Sequence, residues 1–157
     1  MLRRLRYTFE LSDSKMIAIF GLADYPTTRE QISNWLKKDD DPAYQPLNDL
    51  LFATFLNGFI NAKRGKKEGE QPKPEKRLSN NMILRKLKIA LDMKDVDLLE
   101  VLALADLPLS KPELSAFFRK PGHKHYRECK DQVLRNFLKG LQFKYRPESS
   151  TDADSIW

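Results

Sequence analysis

The stretch LRKLK, residues 84–88, repeats the LRRLR of residues 2–6, and the two lie 82 positions apart. The same shift places FLNG, residues 55–58, on FLKG, residues 137–140. Over residues 2–64, 16 of the 63 positions are identical to their partners without a gap. Unrelated stretches share roughly one position in sixteen on background composition. The chain therefore contains an internal duplication, which is the sequence signature of a repeated structural unit.

Four segments in each copy carry apolar residues at intervals of three or four, the period of an amphipathic helix. No segment alternates with a period of two for long enough to predict a strand. We therefore predict an all-α fold, a tandem duplication of a four-helix, helix-turn-helix-like unit related by a pseudo-two-fold axis. The predicted repeats are residues 1–64 and 80–146. The sequence leaves open whether they share one core or form two separate domains.

Two further segments complete the predicted organisation. Residues 65–79 contain glycine and proline among many charges and predict a basic, exposed and flexible linker. Residues 147–157 are polar and acidic, which predicts a disordered tail.

Helix boundaries are predicted from the residues that can satisfy free backbone amides. Thr28 with Gln31, and Ser110 with Glu113, have the spacing of a capping box at the third helix of each copy. Other predicted N-caps are Asp13, Asp95 and either Asn80 or Asn81. The first copy starts without such an asparagine, so its first helical turn is expected to fray.

Two glycines, Gly58 and Gly140, lie inside the fourth helical pattern at equivalent places. Glycine in a helix costs roughly 1 kcal/mol relative to alanine. Its presence in both copies predicts a close helix crossing where a β-carbon does not fit. Trp35 and Phe117, also equivalent, are predicted to lie in the core rather than to stack on a ligand.

Composition indicates a globular protein whose positive charge is concentrated in its second half. Apolar residues make up 41% of the chain and charged residues 32%, with a net charge of +6. Net charges are −1 for residues 1–62, +4 for residues 63–79, +6 for residues 80–146 and −3 for the tail. Such asymmetry favours a polyanionic partner, with a merely solvated, lysine-rich surface as the alternative.

Localisation is inferred from what the sequence lacks. No apolar run approaches the roughly 20 residues that span a bilayer, and no secretory signal is visible. Cys129 is the single cysteine, which fits a reducing compartment. We therefore expect a cytoplasmic protein that does not bind a membrane.

A row of polar residues on the third helix is the most informative surface pattern. Its members are spaced four apart and so share one helix face, and the spacing recurs in the second copy. The first row is Arg29, Ser33 and Lys37, and the second is Lys111, Ser115 and Arg119. Exposed positions face no packing demand to agree between copies, so their agreement indicates a shared anionic target. A solvated charged face is the structural alternative.

The first helix of each copy adds a second basic row. Arg85, Lys86 and Lys88 are its members in the second copy, and Arg3, Arg4 and Arg6 in the first. We interpret these rows as possible phosphate contacts. The second and third helices resemble a helix-turn-helix, whose second helix enters the major groove. The proline-containing turn is longer than the standard one, which weakens that match.

Metal and catalytic interpretations have weaker support. His123, His125, Glu128 and Cys129 are of types that bind zinc, but their spacing is not a recognisable ligand set. Asp39, Asp40 and Asp41 lack the spaced oxygens of a calcium loop and predict a solvated acidic turn. No glycine-rich phosphate loop, nucleophile elbow or metalloprotease helix is found. We predict no metal, no cofactor and no catalytic residue.

The layout resembles the YehS-like family of bacterial proteins over nearly the whole chain except the tail. The matching stretches are LRKLKIA at residues 84–90, REC at 127–129, LRNFLKGL at 134–141 and FLNG at 55–58, with KRG at 63–65. The resemblance implies a tandem domain of unknown function. It implies no established catalytic residue, cofactor or substrate.

The sequence supports two alternative functions. The first is a non-enzymatic, cytoplasmic protein that binds DNA or RNA through paired basic helices. The alternative is an adaptor that binds another protein in the groove between the copies, without nucleic acid. The oligomeric state is left open.

Overall fold

A computed structural model describes residues 1–147, and the predicted disordered tail falls almost wholly outside them. Within this range the chain is all helical and has no strand. The helices are α1 (Leu2–Thr8), α2 (Asp13–Leu22), α3 (Arg29–Leu36), α4 (Asp49–Arg64), α5 (Asn80–Ala90), α6 (Asp95–Leu104), α7 (Lys111–Ala116) and α8 (Asp131–Tyr145). The all-α prediction is confirmed. None of the helices in this range has the length and apolar character needed to cross a bilayer.

The duplication extends to unusual backbone conformations. Within residues 1–147, four non-glycine residues have positive φ, and they form two pairs related by the shift of 82. Glu10 and Asp92, with φ of 53° and 52°, follow α1 and α5. Asp24 and Asp106, with φ of 59° and 60°, follow α2 and α6. Aspartate tolerates this left-handed region better than most residues, and Asp24 and Asp106 stand just after their helices, two residues before Pro26 and Pro108.

Several predicted N-caps are wrong, while both capping boxes are confirmed. Ser79 caps α5 by accepting from the Met82 amide, and Ser12 caps α2 by accepting from the Lys15 amide. Lys94 stands at the cap of α6, so Asp13 and Asp95 are the first residues inside their helices. The predicted caps were displaced because their side chains have other partners. Asp13 pairs with Arg6, Asp95 with Lys88, and Asn81 reaches across to the loop before α8.

The two repeats exchange their first helices. Helix α1 of the first repeat packs against α8 of the second, and α5 of the second packs against α4 of the first. One ion pair joins α4 to the residue after α5, and another joins the residue after α8 to the segment after α1. The two ion pairs are equivalent under the shift of 82. Arg64 contacts Asp92 at 3.0 Å, and Arg146 contacts Glu10 at 3.7 Å. The two repeats are therefore held together by equivalent contacts that the pseudo-two-fold axis relates.

Helices α4 and α5 pack in parallel, which explains the length of the linker. The Asp49 carboxylate at the start of α4 accepts from the Leu78 amide, just before α5, and their far ends meet at Arg64 and Asp92. Helix α4 has 16 residues and so measures about 24 Å. The chain must return over that distance before α5 begins. The linker also contacts the repeats on its way, through Lys66 with Asp24 and Glu75 with Lys86.

Both repeats share a single hydrophobic core, which answers the question that the sequence left open. The buried apolar side chains of α1 to α8 form one continuous cluster. Phe9, at the end of α1, lies between Phe59 of α4 and Tyr145 of α8, with ring centroids 5.3 and 5.0 Å away. Trp35 and Phe117 are both buried, as predicted. Neither repeat has a separate apolar interior.

The predicted close crossing at Gly58 and Gly140 is confirmed. A β-carbon at Gly58 in α4 would collide with the carbonyl oxygen of Ile19 in α2. A β-carbon at Gly140 in α8 would collide with the equivalent carbonyl, that of Val101 in α6. Backbone atoms cannot move aside as a flexible side chain can, so both helix pairs depend on glycine at the crossing.

We expect Gly58→Ala or Gly140→Ala to lower the free energy of unfolding by about 3 kcal/mol, because overpacking displaces backbone. Gly21→Ala is the matched control, since a β-carbon at Gly21 would have no neighbouring atom within 4 Å and the equivalent residue is Ala103. It should raise stability by up to about 1 kcal/mol through helix propensity. Urea unfolding followed by circular dichroism measures all three. Equal effects at the three glycines contradict the crossing.

Candidate nucleic-acid interface

Helix α7 and the loop after it carry the polar row of the second repeat. Lys111 is the first residue of α7 and Ser115 lies in its last turn. Arg119 lies beyond the end of the helix, because α7 stops at Ala116. Nevertheless, all three residues line one groove of about 1080 Å³. The structure therefore brings the row together, although its last member is not on a helix.

This groove, which we call the basic groove, is rich in cations that the row did not include. Its lysines and arginines are Lys111, Arg119, Lys124, Arg127 and Lys130. Two carboxylates, Glu113 and Glu128, also line it. Lys130 pairs with Glu128 at 3.1 Å, but both side chains are largely exposed, so the pair is weak. The groove keeps an excess of positive charge facing solvent.

Glu113 is already engaged at the start of α7. Its carboxylate accepts from the Ser110 amide at 3.0 Å, and that backbone hydrogen bond lowers the pKa of the carboxyl. The Ser110 hydroxyl and the charge of Arg127 act in the same direction. Glu113 therefore stays ionised and fixed in the capping box, and it offsets only one of the five positive charges.

The equivalent region of the first repeat is not a basic groove. Lys124, Arg127 and Lys130 are replaced there by Pro42, Gln45 and Asn48, and three aspartates stand just before them. Their side chains at residues 39–41 are exposed.

The first row itself is also broken up. Lys37 has an extended backbone at the C-cap of α3, and it lines a cavity with Asp39 and Asp49. Arg29 donates to the Ser14 hydroxyl at 3.1 Å, and Ser33 is exposed. The two predicted rows are thus unequal: one lies in a basic groove and the other beside acidic residues.

The basic row on α5 is largely committed to its own neighbours. The Lys86 side chain is only 13% exposed; it donates to Asn57 at 2.6 Å and forms an ion pair with Glu75 at 3.0 Å. Lys88 pairs with Asp95 at 2.7 Å and lies over the Phe118 ring. Arg85 is exposed, and it donates to the Phe118 carbonyl. The predicted phosphate contact does not fit Lys86, which joins α5 to α4 and the linker.

The helix-turn-helix interpretation loses support from the connection lengths. Six residues, 105–110, separate α6 from α7, whereas a helix-turn-helix uses a turn of three or four. Helix α7 has only six residues. Such a short helix presents less than two turns to a duplex. The basic groove therefore fits contact with nucleic acid better than α7 does as a recognition helix.

Sequence reasoning did not single out Lys124, Arg127 or Lys130 as interface residues. They lie in a loop, where no helical period connects them with the row on α7. The available signal was the net charge of +6 on the second copy. That signal indicates a basic surface without saying which cations converge.

The histidine pair next to this groove is exposed, whereas the cysteine is buried. His123 Nδ1 accepts from the His125 amide at 3.0 Å, and both rings are exposed. The Cys129 side chain is buried, and its amide donates to Asn81 at 2.9 Å. Within residues 1–147, no three histidine, cysteine, aspartate or glutamate side chains converge as metal ligands. The loop is held by Asn81, which also donates to the carbonyls of Phe117 and Arg127.

Comparison with known proteins gives one family and one relative. The family model described as "Protein of unknown function (DUF1456)" matches twice, at residues 1–65 and 80–146, which coincide with the two repeats. The chain is similar to "Uncharacterized protein YehS" of Escherichia coli (strain K12), with 42% identity over 142 residues. That similarity covers 90% of this chain and 91% of the relative. No solved structure matches.

We expect Cys129 to resist alkylation in the native protein. Burial, reinforced by the charge of Asp131, raises the pKa of its thiol to about 11. At about pH 8 the thiolate that reacts is therefore scarce in the folded state, whereas an unfolded cysteine has a pKa of about 8.5. Iodoacetamide labelling followed by mass spectrometry should be at least about 100-fold slower in buffer than in denaturant. Equal rates contradict the buried position.

Proposed function

The chain belongs to the DUF1456 family, and we propose that it is a non-enzymatic, cytoplasmic nucleic-acid-binding protein that grips phosphates in the basic groove. The observation that carries this proposal is the convergence of five cations and two carboxylates around α7. Each phosphate neutralised by a lysine or arginine releases condensed counterions, which favours binding at low salt. The proposal uses Lys111, Ser115 and Arg119 of the predicted interface.

The cations that line the groove favour contacts with the phosphate backbone over contacts with base edges. Lysine and arginine side chains bind phosphates without regard to sequence, while discrimination needs side chains directed at base edges. Helix α7 is short, and the cations come mainly from the loop after it. The expected behaviour is affinity with little sequence preference, for single or double strands.

Fluorescence anisotropy with labelled duplex and single strands tests the proposal. We expect a Kd tighter than about 10⁻⁴ M at ~50 mM salt, with log Kd rising linearly with log salt concentration. Lys111→Ala with Arg119→Ala should weaken binding and reduce the salt slope by about two, one unit per lost phosphate contact. Lys111 and Arg119 lie on the surface, so the variant should keep its helical content.

The first repeat supplies the matched control. Arg29→Ala with Lys37→Ala removes the equivalent pair and the same charge, but outside the basic groove. That variant should bind nearly as the parent does. Equal weakening by both double variants means that net charge alone drives the association and contradicts the groove. If no binding tighter than about 10⁻⁴ M is found at ~50 mM salt, the nucleic-acid-binding hypothesis is excluded and the adaptor hypothesis is left.

A further inference from the structure

Two cavities at the exchanged helix pairs are copies of each other. The first lies between α1 and the end of α8, and the second lies between α5 and the end of α4. Every one of the seven residues that line the second has its partner, 82 positions away, in the lining of the first. We call them the junction pockets. Their volumes are about 650 and 510 Å³, within the range of small-molecule sites.

The cations of the two pockets correspond one to one. The first has Arg3, Arg6 and Arg146, and the second has Arg85, Lys88 and Arg64. Arg6 pairs with Asp13 and Lys88 pairs with Asp95, both at 2.7 Å. Arg146 pairs with Glu10 and Arg64 pairs with Asp92, the positive-φ residues that follow α1 and α5. With both carboxylates counted against three cations, each pocket keeps one net positive charge.

The first cation of each pocket has the donors to hold an oxyanion. The Arg3 guanidinium has neither a hydrogen bond nor an ion pair with any other residue in the described range 1–147. Arg85 donates one hydrogen bond, to the Phe118 carbonyl. That acceptor is neutral, so the charge of Arg85 is not offset. A guanidinium presents paired N–H donors that match a carboxylate or a phosphate. The two arginines are identical residues at equivalent positions, Arg3 half-buried and Arg85 exposed.

Each pocket also has an apolar wall. Its members are Tyr7, Leu11 and Leu36 in the first pocket and Ile89, Met93 and Phe118 in the second. Ile89 is 47% exposed, although it is a large apolar residue on a helix. An apolar wall beside an arginine suits a ligand with an apolar body and a charged head, since each part then finds its own partner.

From this duplicated geometry, we propose that the junction pockets are a pair of equivalent binding sites for a small amphipathic anion. The ligand has one carboxylate or phosphate head on an apolar or aromatic body. Arg3 or Arg85 holds the head, and the apolar wall takes the body. Because an arginine from the other repeat, Arg146 or Arg64, lines each pocket, a bound ligand also contacts both repeats. These sites are separate from the basic groove and do not depend on nucleic-acid binding.

Titration of the ¹⁵N-labelled full-length protein, followed by amide chemical shifts, tests the proposal. Phenyl phosphate and benzoate are the probes, and the tighter of the two identifies the head group. We expect saturating shifts at amides of both α1 and α5, with Kd of about 1 mM or tighter. Such an affinity is reasonable for a ligand of about ten non-hydrogen atoms. Inorganic phosphate and benzyl alcohol, which offer head or body alone, should each bind about 10-fold more weakly.

Variants assign each site separately. Arg3→Gln should weaken binding at the α1 amides about 10-fold or more and leave the α5 amides unchanged, and Arg85→Gln should do the reverse. Lys38→Gln and Lys120→Gln are matched controls, because these lysines are exposed, equivalent under the shift of 82 and outside both pockets. The same spectra show whether each variant is folded. Saturation at one site only, shifts indifferent to both arginine variants, or benzyl alcohol binding as tightly as the anions overturns the proposal.

Discussion

The packing of each repeat's first helix against the last helix of the other repeat is the constraint on which this structure depends. Helices α1 and α5 are too short to be stable alone, since isolated helices below roughly 12 residues are marginal in water. Most of their helix contacts are with the other repeat, and Phe9 packs on Tyr145 of α8 as well as on Phe59 of its own repeat. The ion pairs of Arg64 and Arg146 each involve a largely exposed carboxylate, so they contribute little to stability. Parallel packing of α4 with α5 then dictates a long return linker.

A shared core allows the two surfaces to differ. Both repeats need the same crossing glycines and the same left-handed aspartates, because both build the same helix pairs. The loop before the last helix has no such requirement. It is acidic in the first repeat and basic in the second, where Lys124, Arg127 and Lys130 line one groove with α7. The basic groove is therefore a specialisation of one copy, whereas the junction pockets belong to the element that both copies share.

The sequence alone predicted what local physics decides. The repeat, the all-α class, the capping boxes and the crossing at Gly58 and Gly140 all follow from periodicity and residue chemistry. The helix exchange could not be predicted, because an amphipathic face shows that a helix is buried without naming its partner. For the same reason Lys86 was assigned to phosphates, although Glu75 and Asn57 hold it. Lys37 and Arg119 were placed on helices because their spacing of four continued past the last helical turn.

Native-state hydrogen exchange on the full chain tests the exchange of helices most directly. If the repeats share one core, the slowest amides of α4 and α8 open only by global unfolding. They should then give the same opening free energy and the same dependence on denaturant. Slow amides of α4 and α8 that open with different free energies and different denaturant slopes would show two independent units and contradict the account.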